Sequence, residues 1–130
     1  MVRLLPELIL LAASALFFCA SLRRPRLRVL QTAAYAAALG ALAAAGATSG
    51  GSTLLFHGVY KIDAFSQCFK ILICGGLALV LWIGAGIRGV NRGYAAEYHL
   101  LLCVGCLGLC IMVSAVELIT LFLAVEVASY

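Results

Sequence analysis

Few residues in this chain could do chemistry, and those that could are acids, a lysine, a histidine and cysteines set in or beside apolar runs. Glu126 lies in the second of two helical runs within EYHLLLCVGCLGLCIMVSAVELITLFLAVEVASY, residues 97–130. A carboxylate held in hydrocarbon costs roughly 2.5–3.5 kcal/mol on insertion scales, so its presence there is by default a functional signal. An acid at that depth can be switched between holding and releasing a proton by moving a neighbouring cation, which is what a proton-transfer step needs. The alternative is a structural acid, protonated and hydrogen-bonded to a neighbouring helix. Glu117 is nine residues away. At 100° per residue the two acids point to nearly opposite faces, so they are not a paired-carboxylate site. Glu117 instead suits the start of a helix, where the dipole favours an acid.

The other candidates have stronger bland readings. Cys103, Cys106 and Cys110 share a helix face at i, i+3 and i+7. Iron–sulfur sites want a tighter cysteine run and a fourth ligand. Zinc also wants a fourth ligand, and His99 is displaced by a turn. Small-residue packing is the expectation for these thiols and for Cys19, Cys68 and Cys74, with no disulfide framework. Lys70, in the first turn of its run, is expected to snorkel to the headgroups, with an inward charge partner as the second choice. His57, in a loop, reads as a solvated polar residue rather than a proton relay. No phosphate loop, nucleophile elbow or dinucleotide fingerprint is present.

The elements that must position these residues are membrane helices. Of 130 residues, 65% are apolar and 11% charged, far too little polar surface to cover a globule in water. The net charge of +4 sits in short clusters, not on a basic face, which argues against nucleic acid as a partner. The expected fold is an all-α membrane protein, one transmembrane unit over 1–130. Its helices are expected at about 4–22, 29–47, 69–87, 98–113 and 117–130. The first four are long enough to span; the fifth ends mid-membrane, short of the ~30 Å core. A retained first helix is preferred over a signal peptide, because the basic cluster Arg23-Arg24-Pro25-Arg26-Leu27-Arg28 follows the apolar core instead of preceding it. The second run is nearly all alanine, a tightly packed scaffold helix. In the third run Gly75-Gly76, Gly84 and Gly86 are expected close-approach sites. Between runs two and three, Leu54–Asp63 has alternating character around Gly58, a small hairpin or irregular loop. Arginines after runs one and three put those loops on the cytoplasmic or matrix side, with the 48–68 loop and the Ser114–Val116 turn opposite.

LLPELILL at 4–11, DAFSQCFK at 63–70, EYHLLLCVGCLG at 97–108 and SAVELITLFLAVEVAS at 114–129 together resemble the N-terminal part of the antiporter-like chain 2, or subunit N, family of NADH:quinone oxidoreductase (respiratory complex I). The resemblance implies a bundle of roughly fourteen helices in the complete subunit and a proton half-channel built from the fourth to the eighth. It places Glu126 on the family's fifth-helix glutamate, whose partner is a lysine on a broken seventh helix, beyond residue 130. The implied function is proton translocation coupled to NADH:ubiquinone electron transfer, as a subunit of the enzyme with no cofactor in this chain. The implied partners are lipids, other complex I membrane subunits and a second chain carrying that lysine, as in a split subunit. The expected location is the mitochondrial inner membrane, multi-pass, with the bacterial cytoplasmic membrane as the alternative. A non-pumping structural subunit, or a related Mrp-type antiporter or membrane-hydrogenase subunit, is the alternative function.

Overall fold

The computed structural model of the chain describes residues 4–23, 27–48, 52–55, 58–85 and 94–129. Five helices form in order: α1 (Leu5–Arg23), α2 (Leu27–Ala47), α3 (Ala64–Ala85), α4 (Ala95–Ser114) and α5 (Leu118–Ser129). The first four are long and apolar enough to cross a membrane. The chain is thus an all-α bundle of membrane-helix character, as its composition requires.

Between α2 and α3 a short antiparallel hairpin pairs β1 (Thr53–Leu55) with β2 (Tyr60–Ile62), in the register Thr53 to Ile62 and Leu55 to Tyr60. Gly58, at φ +97°, supplies the left-handed backbone that its turn region needs. The hairpin is fastened to the α4–α5 connection: Val116 N–H donates to the Val59 carbonyl at 3.0 Å, and Tyr60 bridges to Ala115. The start of α1, the hairpin, the start of α3 and the α4–α5 turn therefore share one end of the bundle.

Each spanning helix buries a stripe at helical spacing. On α1 it is Glu7, Leu10, Ser14 and Phe17; on α2, Ala34, Ala38, Ala41 and Ala45; on α3, Gln67, Lys70, Cys74, Leu77 and Leu81; on α4, His99, Cys103, Cys106 and Cys110. Lipid offers no hydrophobic drive between helices, so close packing of small side chains does the joining. The alanine stripe of α2 meets that need, and the Tyr35 hydroxyl, donating to the Leu81 carbonyl at 2.9 Å, pins α2 to α3.

Two expectations are corrected. The third helix begins at Ala64, five residues before Phe69, because Asp63 and Ser66 cap it reciprocally. Ser66 N–H donates to Asp63 Oδ1 at 2.8 Å, and Asp63 N–H donates to Ser66 Oγ at 2.9 Å. Close approach also falls elsewhere than expected. Gly75 and Gly76 have open space where a Cβ would go, whereas at Gly108 a Cβ would lie 2.6 Å from the Ala128 backbone nitrogen. That contact seats α5 on α4. Gly84 does have a neighbour, the Tyr98 hydroxyl, 3.5 Å from where its Cβ would lie; Gly86 lies outside the described residues.

Candidate proton-handling site

Starting α3 at Ala64 moves Lys70 from the first turn to the second, about 9 Å along the helix. There it cannot snorkel. It faces the bundle interior and is wholly buried (0% exposed), which overturns the expectation of a headgroup-seeking lysine. Its partner is Glu7 on α1: the ammonium forms an ion pair with Glu7 Oε1. The Tyr60 hydroxyl donates to the same oxygen at 2.6 Å and lies 3.4 Å from the Lys70 nitrogen. The ammonium also stands 5.2 Å from the centre of the Tyr60 ring, within cation–π range.

Three elements converge to build this cluster. Pro6 fits the first turn of α1, where its missing N–H does no harm, and Glu7 follows on the buried face. The hairpin swings Tyr60 inward by the alternation of β2, with Tyr60 and Ile62 buried and Lys61 exposed. Lys61 pairs with Asp63 at 3.2 Å on the outer side. Burial pushes the Tyr60 phenol well above its usual range, and the charge and hydrogen bond of Glu7 push it further. The cap hydrogen bond from Ser66, and then Lys61, hold the Asp63 carboxyl below its usual range.

Glu7 Oε2 is buried without a hydrogen-bond partner among the described residues, and so are both polar atoms of the Gln67 amide, one turn before Lys70. Such groups are uncommon in folded interiors and call for an explanation. Below the ion pair, Cys74 joins Cys106 and Cys110, with all three sulfur atoms within 4.8 Å of one another. The Cys106 thiol points to the Ile73 carbonyl at 4.0 Å. This group spans two helices and omits Cys103, so it is not the single-helix face read from spacing. Among the described residues it offers three thiols and no fourth ligand. All six cysteines are free. His99 is buried near the opposite end, its Nδ1 2.6 Å from the Ala95 carbonyl and its ring against Phe17.

Glu126 lies apart from this cluster. Ala124 and Ala128 form the stripe of α5 that rests on α4, and Glu126, two residues from each, points about 160° away from both by helical geometry. Its side chain is exposed on the outward face of α5, about 12 Å into that helix. Glu117 sits just before the helix, its carbonyl accepting from the Leu121 N–H at 2.9 Å. His57 lies outside the described residues, as do Arg24 and Arg26 and the whole 86–93 loop.

The Glu7–Tyr60–Lys70 cluster escaped sequence reasoning because a first-turn acid and a loop tyrosine both have ordinary explanations. The usable signal was the Asp63-Ala-Phe-Ser66 cap, which would have set Lys70 too deep to reach water.

No protein-family model matches the chain. Curated relatives do. It is 38% identical over 129 residues to NADH-quinone oxidoreductase subunit N 2 of Opitutus terrae, and 41% identical over 127 residues to that of Solidesulfovibrio magneticus. It is 32% identical over 129 residues to subunit N of Geobacillus kaustophilus. These alignments take in 99%, 98% and 95% of this chain but only 27%, 27% and 26% of the relatives, so it spans about a quarter of their length. The apolar helices and these matches together identify the chain as a homologue of NADH-quinone oxidoreductase subunit N, consistent with the N-terminal part of that subunit.

Proposed function

We propose that this chain is part of the proton-translocating membrane arm of an NADH:quinone oxidoreductase, and that Glu126 is its proton-transfer residue. The observation that carries the reading is an ionisable side chain on the outward face of α5, a helix that buries only Ala124 against the rest of the bundle. A carboxyl presented to lipid alone would be costly, whereas one presented to a cation from a further helix becomes a switchable proton carrier. The remaining three quarters of a subunit-N-like protein, on the same polypeptide or a second chain, would supply that lysine. NADH, flavin and iron–sulfur clusters are assigned to other subunits, and none to this chain. The bacterial origin of the relatives favours the cytoplasmic membrane of a bacterium over the mitochondrial inner membrane.

The test is Glu126→Gln in the assembled complex. Protons moved per NADH oxidised should fall while the complex still assembles. Unchanged stoichiometry in an assembled variant removes Glu126 from the mechanism and favours a structural role for this part of the arm.

A further inference from the structure

We propose that Glu7, Tyr60 and Lys70 form a second proton-exchange site, at the hairpin end of the bundle and separate from Glu126. The inference rests on the proton-translocation reading, which it extends to a pair that is complete within this chain.

Three features point to exchange over simple anchoring. Both donors converge on one oxygen of Glu7, the Lys70 ammonium and the Tyr60 hydroxyl. The other oxygen, Oε2, is buried and has no hydrogen-bond partner among the described residues. A proton placed on Oε2 would therefore break no existing hydrogen bond. Second, the pair is neutral overall in two forms: carboxylate with ammonium, or carboxylic acid with amine. Moving one proton from Lys70 Nζ to Glu7 interconverts them, with an N–H bond broken and an O–H bond formed and no net charge change in an apolar interior. A charge arriving nearby can tip that balance, because it favours one of the two charge distributions over the other. Third, Glu7 and Tyr60 form part of the wall of an open apolar cleft of about 360 Å³ between α1, the hairpin and α4–α5, lined also by Leu8, Leu11, Leu107 and Ile111.

The charged and titratable groups around the pair are few. Tyr60 faces it from β2, Cys74 follows Lys70 by one turn on α3, and Cys110 approaches Tyr60 from α4. The Lys61–Asp63 pair lies on the outer side of the hairpin. Taken with the arginine placement, the cluster is at the end away from the cytoplasm, where a translocated proton leaves.

A structural ion pair and a proton site make opposite predictions for one variant. Replacing both charges together, Glu7→Leu with Lys70→Met, leaves no stranded charge, and apolar replacement of a buried pair is often tolerated or stabilising. In the intact complex in its membrane, the double variant should assemble at the normal level, yet protons moved per NADH oxidised should fall at least twofold. Normal stoichiometry in the assembled double variant overturns the proposal. Tyr60→Phe removes a single hydroxyl and decides the matter if the double variant does not assemble. It should shift the pH profile of pumping, and an unshifted profile overturns the proposal. Glu126→Gln is run alongside. If it lowers pumping while the double variant and Tyr60→Phe behave normally, only the second site falls; if all three are normal, both readings fall.

Discussion

Removing one member of the Glu7–Lys70 pair strands the other charge among apolar side chains, at a cost of about 3–5 kcal/mol. Lys70→Ala and Glu7→Ala should therefore each lower the amount of assembled protein, whereas the double apolar variant should restore it. Quantifying the folded protein by size-exclusion in detergent checks this, and equal losses in the single and double variants would show the pair to be uncoupled. Asp63 gives a pH-dependent counterpart outside the spans. Its folded-state carboxyl is held below the usual range by Ser66 and Lys61, so its stabilising effect is present above the unfolded value, about pH 4, and is lost as pH falls through the folded one. Thermal melts should show Asp63→Ala lowering the melting temperature at pH 6 and converging with the parent as the medium is acidified toward the folded value. A constant offset across that range would mean that the carboxylate charge contributes nothing to the cap. These residues differ in how legible they are. Glu126 stands out in sequence because nothing in its own run explains it. Glu7 hides behind the helix dipole, and Lys70 hides behind a boundary set five residues too late. Its partner is 63 positions away, a separation that periodicity within one helix does not reach.

At the scale of elements, the packing is carried by small residues, but not by all of them. Ala38 is fully buried on α2, and a leucine there should overpack the contacts with α1 and α3 at about 1–3 kcal/mol. Gly108 is the tighter position, since its missing Cβ lets the backbone of Ala128 approach α4. Gly108→Ala should push α5 away and carry Glu126 with it, so pumping should fall along with stability. A Gly108→Ala complex of normal stability and normal pumping would show that the seat of α5 does not position Glu126. Helix number and helix type were readable from composition and hydrophobic runs, while the turn residues around Gly58 left a hairpin and an irregular loop both open, and the pairing of β1 with β2 settles on the hairpin. Which glycines sit at interfaces was not, because a glycine pattern looks the same on a lipid-facing surface as on a packed one. The thiol group shows the same limit. Cys106 and Cys110 share a face in any helix, but only the docking of α3 on α4 brings Cys74 to them. If those thiols serve as small apolar packing, replacing all three by alanine should leave NADH-driven pumping near normal, and loss of pumping at normal assembly would assign them a chemical role.

For the whole molecule, the alternation of loops sets which side of the membrane the ion pair faces, and with it the direction of proton movement under the proposed function. By the positive-inside rule, the arginines after the first and third helices are expected to put those connections on the cytoplasmic or matrix side. The structure independently gathers the start of α1, the hairpin and the α4–α5 turn at one end, through the contacts of Tyr60 with Glu7 and of Val116 with Val59. The two observations are consistent with each other, since an even number of spans must separate elements that share an end. Lys61 is the reporter of choice, being half-exposed on the outer strand face of that end and uninvolved in the buried cluster. Lys61→Cys, in a background lacking the exposed Cys19 and Cys68, should react with a membrane-impermeant maleimide applied to intact cells. A cysteine in place of Arg23, at the other end of α1 and exposed, should react only after the membrane is opened. The reverse pattern would invert the topology and turn the Glu7–Tyr60–Lys70 cluster toward the cytoplasm. The same residues would then sit where protons are taken up, and the effect of Tyr60→Phe on pumping should respond to internal pH instead of external pH.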